Sequence, residues 1–204
     1  MAQITNGLRA VLSNPQVYSA FQSLMGAHQA RKRIASQNIR PYPCMKMLDI
    51  GCGPADILFY LPDIEYWGVD ISAPYIERAK KNHPNRGHFY CKELTDKDLE
   101  GLPQFDVVLA IGVLHHLDDS IAREVAGLAC KALAAGGRFI TIDPCLDKSQ
   151  NIISKFLVRH DRGQNVRTKI KYQELVTGLF SKLEINVRHQ TWIPYTHCIM
   201  ECTK

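Results

Sequence analysis

The chain has 204 residues, 46% of them hydrophobic, which is enough for one sizeable core and is read as a single domain. Its longest apolar runs fall far short of the roughly 18 residues a membrane span needs, and its first 20 residues lack an apolar core and a cleavage site, so neither a span nor a secretory leader is expected. The net charge of +5 is uneven: residues 1–48 hold six basic side chains and no acid, residues 145–175 hold seven against three acids, and the rest is net negative.

Residues 15–38 read as helical. Val17, Phe21, Leu24 and Met25 form one apolar stripe, Gly26 interrupts it, and an Arg/Lys cluster follows. Pro41-Tyr42-Pro43 forces extended chain into a first strand, Met47-Leu48-Asp49-Ile50, whose carboxyl end turns sharply at Gly51-Cys52-Gly53. Glycine there allows positive φ and lets a ligand lie against bare backbone. A dinucleotide site needs a third glycine, but this chain has Asp56, whose charge would repel a diphosphate, and Pro54 removes an amide that could bind one. A nucleoside without phosphate is the expected ligand. A short helix over 56–61 leads to a second strand, Tyr66 to Asp70, ending in an acid 17 residues after Gly53. That carboxylate can accept from both ribose hydroxyls, so the pattern points to S-adenosylmethionine.

Ser72 to Lys81 fits an N-capped helix with Pro74 near its start, and residues 87–94 read as a third strand. The fourth strand starts at Phe105 and runs into His115-His116-Leu117-Asp118-Asp119. Adjacent side chains diverge, so that cluster is not read as a metal site and no metal is expected. A helix over 122–134 should stop at Gly136-Gly137, before a fifth strand from Arg138 to Asp143. Residues 145–171 have little periodicity and are expected to form a lid, with Arg159, Arg162 and Arg167 as forks for a polar or anionic acceptor. A helix over 172–180 and strands over 183–189 and 196–202 close the chain. Seven scattered cysteines without a CxxC pair fit a reduced, cytoplasmic protein, with Cys198 and Cys202 as small core residues.

The segments LDIGCG (48–53), GVDIS (68–72), FDVVLAIGVLHHL (105–117) and LAAGGRFITID (133–143) resemble, in order and spacing, the class I S-adenosylmethionine-dependent methyltransferase family. The small-molecule members of ubiquinone and menaquinone type are similar. The resemblance covers residues 45–145 strongly and the ends loosely. It implies an α/β fold: a Rossmann-like, seven-stranded, mostly parallel sheet with helices on both faces, a C-terminal antiparallel hairpin and an N-terminal helical cap. The corresponding regions are a cap over 1–44, a cofactor core over 45–144, a lid over 145–171, and a helix with hairpin over 172–204. Cofactor contacts are implied at Asp49, Gly51, Cys52, Gly53, Asp70 and Ile71, at Glu93 and Leu94 near the adenine, and at Ala110, Ile111 and His115 near the methionine end. Tyr18 and Arg33 are candidates to reach the amino-acid end from the cap.

His116 and Asp143 are the acid/base candidates, because ligands bind beyond the carboxyl ends of such strands. Tyr195 and His197 are further substrate-binding candidates. The expected reaction is in-line methyl transfer to a small acceptor, leaving S-adenosylhomocysteine. A tRNA or other RNA methyltransferase fits the basic framing but lacks an aromatic-basic platform, and a non-catalytic cofactor-binding or partner protein is opposed by the intact Asp49, Gly51, Gly53 and Asp70 set. Oligomeric state is not legible.

Overall fold

The structure, a computed structural model, describes residues 27–190 and 194–204. The stripe over 17–25 and the candidate Tyr18 lie outside them. The described chain starts with helix α1 (Ala27–Arg33), which continues as a wider π turn over Ile34–Ile39. The strands are β1 (Lys46–Ile50), β2 (Glu65–Asp70), β3 (His88–Cys91), β4 (Phe105–Ile111), β5 (Leu133–Leu146), the two-residue β6 (Arg167–Thr168), β7 (Lys182–Gln190) and β8 (Tyr195–Thr203). Between them lie α2 (Ala73–Asn82), α3 (Asp96–Leu99), α4 (Asp119–Ala132), α5 (Ile152–Arg159) and α6 (Lys169–Val176).

Seven strands follow the order β3-β2-β1-β4-β5-β8-β7, and β6 adds to β5 beside that path. The first five pair in parallel, whereas β8 runs antiparallel to both β5 and β7. This is the mostly parallel sheet with a terminal antiparallel hairpin that the sequence implies. The order reverses between β1 and β4, which opens a crevice above their carboxyl ends.

Alternation along the strands builds two cores. Leu48, Ile50, Val108 and Ala110 pack with Ala122, Ala126 and Ala129 of α4 and Tyr172 of α6. Met47, Val107, Leu109 and Ile140 face the other way, onto Ala35 and Ile39 of the π turn, Leu58, and Ile76 and Ala79 of α2. Because both faces are covered, the central strands read as continuous apolar runs. Small alanines on α4 let it lie close to the sheet, and Asp118 caps it by accepting from the Ile121 N–H at 3.0 Å.

The helix expected over 172–180 runs over Lys169–Val176 instead, and two further local expectations differ from the fold. The helix stop at Gly136-Gly137 is not formed: α4 ends at Ala132, and residues 133–137 already belong to β5, where Leu133 pairs with Phe105 of β4. Sheet pairing and burial of Leu133 outweigh the local glycine signal. Ser72 has the extended N-cap conformation but its side chain makes no cap; its N–H donates instead to Asp70 at 2.8 Å.

Candidate functional site

The glycine turn and the end of β2 are one hydrogen-bonded unit. The N–H groups of Gly51 and Cys52 donate to the Val69 carbonyl at 2.8 and 3.1 Å. Asp70 Oδ2 accepts from the Gly53 N–H at 2.9 Å and Oδ1 from the Ser72 N–H. Each carboxylate oxygen has a second lone pair, so the half-buried group can hold the turn and still accept from a ligand. The two glycines differ. At Gly53 (φ +55) a Cβ would meet nothing within 4 Å, whereas at Gly51 (φ +71) it would stand 2.5 Å from Val113 Cγ2. Open backbone for a ligand is therefore at Gly53, and Gly51 is needed for contact with the loop after β4.

Below the turn, buried Asp49 accepts from the Tyr66 hydroxyl at 2.7 Å. Burial pushes its carboxyl up to about 7, against the lowering effect of the Tyr66 bond and with help from the Asp70 charge. Burial also raises the Cys52 thiol, which stays protonated beside the turn. Ile71 is 53% exposed just past Asp70, Glu93 is exposed beyond β3, and Leu94 is buried in the core under that loop. Ala110 is buried and Ile111 half-buried at the end of β4.

The loop after β4 makes a single 3-10 turn over Leu114–His116. His115 lies between two carboxylates: its Nδ1 donates to Asp143 Oδ1 at 2.8 Å and its Nε2 to Asp161 Oδ1 at 3.1 Å. Burial alone would lower its proton affinity, but the hydrogen bonds and charges of Asp143 and Asp161 outweigh burial and lift it to about 9. His115 is thus an imidazolium at neutral pH. Burial would likewise raise Asp161, yet His115, the Gly163 N–H and the Tyr195 hydroxyl pull it below the usual carboxylate range. His116, with its ring 4.0 Å from that of His115, is lowered to about 4 by burial and then by the His115 charge. It is neutral. His197 is also lowered to about 4, by burial. Asp143 Oδ2 is buried and has no hydrogen-bond partner among the described residues.

The arginine candidates separate. Arg159 is exposed on the last turn of α5, and half-buried Arg162 lies near enough to His116 for its charge to lower that imidazole. Arg167 is not at the mouth: its guanidinium is buried and donates to the carbonyls of Leu114, Leu117 and Asn165 and to Asp119. With its donors spent inside the protein, it cannot serve as the fork for a substrate. Tyr195 donates to Asp161, and its ring is 5.0 Å from that of His197.

Arg33 is exposed, and the residue of α1 that reaches the glycine loop is Arg31, paired with Asp56 at 2.9 Å. The four-residue spacing of Arg31, Ala35 and Ile39, the last two buried, puts Arg31 on the inward face and is a signal the sequence already held. Asp161 carries no local signal in Arg159-His160-Asp161-Arg162, because its partners His115 and Tyr195 are distant in the chain. Among the described residues no cluster of His, Cys, Asp or Glu has metal-holding geometry. A cavity of about 280 Å³ lined by Lys80, His83, Gly87 and Phe89 lies around the amino end of β3, opposite the crevice.

A family model described as a methyltransferase domain matches residues 48–139. CymA of Salinispora arenicola (strain CNS-205), described as a probable non-canonical nonribosomal peptide synthetase, is 31% identical over 121 residues, which are 55% of this chain and 2% of that protein. Among solved structures, the S-adenosylmethionine-dependent methyltransferase SibL superposes with a TM-score of 0.71 at 15% identity, over 97% of this chain and 60% of SibL. The plantazolicin methyltransferase BamL, solved with S-adenosylhomocysteine, gives 0.65 at 15% identity, over 96% of this chain and 93% of BamL. The chain thus spans a small fraction of that curated relative and less than two thirds of SibL. The likeness to SibL and BamL is one of fold.

Proposed function

From the place of residues 48–139 in the methyltransferase domain family, we propose that this chain transfers a methyl group from S-adenosylmethionine to a small polar or anionic acceptor by in-line displacement. The observation that carries this reading is the half-buried Asp70 carboxylate, pinned by the Gly53 and Ser72 amides beside the open backbone at Gly53. It fits a ribose with two hydroxyl donors.

When bound, the cofactor supplies an already activated methyl group. The chain's residues have to bind, orient and exclude water. Asp70 would hold the sugar, Ile71 and Leu94 would give the base an apolar seat with Glu93 at its edge, and the Gly51–Gly53 turn, Asp49, Ala110 and Ile111 would border the amino-acid tail. On the acceptor side, His115 is already protonated and cannot take a proton at neutral pH. The neutral His116 can, as a weak base, for an acceptor whose proton leaves late. Arg162 supplies positive charge beside it. A match within a nonribosomal peptide synthetase supports an acceptor of natural-product type.

Calorimetry with S-adenosylhomocysteine tests the assignment. Asp70→Ala should weaken binding by about 1.5–3 kcal/mol, the range for a hydrogen bond to a charged group. Unchanged affinity would contradict the reading. Turnover of labelled S-adenosylmethionine on a metabolite extract, with mass identification of the product, names the acceptor.

A further inference from the structure

Residues 161–167 grip the turn carrying His115 and His116 from several directions. Asp161 accepts from His115 Nε2 at 3.1 Å, the Asn165 N–H donates to the His115 carbonyl at 2.9 Å, and Arg167 donates to the carbonyls of Leu114 and Leu117, both at 2.7 Å. One guanidinium therefore holds the two carbonyls that flank the histidine pair. It is 6% exposed, is steadied by Asp119 at 2.8 Å and by the Asn165 carbonyl, and lies 5.8 Å from the centre of the Tyr172 ring. Gly163 passes so close that a Cβ there would stand 2.0 Å from His115 Cδ2 and 2.5 Å from the His115 carbonyl oxygen.

The turn needs such support. Its own backbone bonds are the short-range pairs His116 N–H to Val113 O and Leu117 N–H to Leu114 O, and one isolated 3-10 turn has weak geometry. The His116 ring meets the turn through its contact with the His115 ring, 4.0 Å away. A lysine could not replace Arg167. Its single ammonium cannot span carbonyls at 114 and 117 and the Asp119 carboxylate as a planar fork does.

We propose that Arg167 is a positioning residue, which acts with Asp161, Gly163 and Asn165 as a bracket holding the His115–His116 turn so that the His116 imidazole faces the acceptor. The bracket rests on the methyltransferase reading for its purpose, though not for its geometry. Buried Arg167 makes no contact with the acceptor; it works through the histidines.

The test uses the full chain with ¹⁵N-labelled histidine. Ring titrations of His115 and His116 are followed by NMR, alongside S-adenosylhomocysteine calorimetry and thermal melting. The titratable or charged groups facing the pair are Asp143, Asp161, Arg162, Tyr195 and His197. Arg167→Lys should loosen His115 from its two carboxylates and lower its midpoint by about one unit or more, while cofactor-product affinity stays within about threefold. Arg123→Lys is the control: Arg123 donates to the carbonyls of Glu174, Leu175 and Thr177 at the end of α6, away from the histidines. It should lower the melting point and leave both midpoints in place. Gly163→Ala, which forces the bracket off His115 without touching Arg167, should lower the His115 midpoint as well and decides the matter if Arg167→Lys does not fold. Midpoints in a folded bracket variant equal to those of the parent overturn the proposal. Failure of the parent to bind S-adenosylhomocysteine would instead sink the methyltransferase reading and leave the titration result intact.

Discussion

Substituting Gly51 and Val113, singly and together, separates two costs that the glycine turn combines. At Gly51 (φ +71) any side chain bears left-handed strain of about 1–2 kcal/mol. The new Cβ would also lie 2.5 Å from Val113 Cγ2, an overpacking worth roughly 1–3 kcal/mol more. Gly51→Ala should then destabilise the fold by about 2–5 kcal/mol in urea denaturation. Val113→Ala removes the offending methyl and leaves its Cβ at an ordinary 3.7 Å. In that background the same glycine substitution should cost only the strain, about 1–2 kcal/mol, so the cycle should show a favourable coupling of about 1–3 kcal/mol. At Gly53 (φ +55), where a Cβ meets nothing, the stability cost should again be strain alone, with the larger loss in cofactor affinity. Gly51→Ala costs that match with and without Val113 would refute the claim that Gly51 is there for packing.

His115 makes stability pH-dependent. Its folded proton affinity, about 9 against about 6.5 unfolded, gives stability that is fully present below pH 6.5 and is lost as pH rises through 9. His115→Gln should remove a contribution of about 3 kcal/mol at pH 6 and almost none at pH 10, checked by urea midpoints of both proteins across that range. The neutral pair acts in the opposite limb: His116 and His197, lowered to about 4, weaken the fold as pH falls from 6.5 to 4. Replacing both with Gln should flatten the acid side of the urea profile, and an unchanged slope would show them to be solvated. Cysteine chemistry gives a separate check. Brief iodoacetamide treatment of native protein should label exposed Cys44 and Cys91 and spare buried Cys52, Cys145, Cys198 and Cys202, read by peptide mass spectrometry; early labelling of Cys52 would contradict its raised thiol.

The sheet and the glycine turn are legible in the sequence because their causes are local. Met47, Leu48 and Ile50 must be apolar to be covered on both faces, Gly53 must lack a Cβ to leave its backbone open, and Asp70 must follow its strand to reach the Gly53 amide. Where a long-range partner decides, local signals mislead. Gly136-Gly137 looks like a helix stop, but pairing of Leu133 with Phe105 of β4 makes it strand. Arg167 looks like a solvated fork, but carbonyls about 50 residues away draw it inside.

The adjacent histidines show the limit most clearly. Identical side chains one position apart acquire proton affinities near 9 and 4. Nothing in the string His115-His116 distinguishes them. The difference arises because Asp143, 28 residues on, and Asp161 beyond it hydrogen-bond to one ring only, whereas the other is lowered first by burial and then by the charge on His115. The segment after β5 therefore acts on the β4 loop through Asp161: by helping to charge His115 it adds to the burial that keeps His116 neutral, which is the state an acceptor of protons requires.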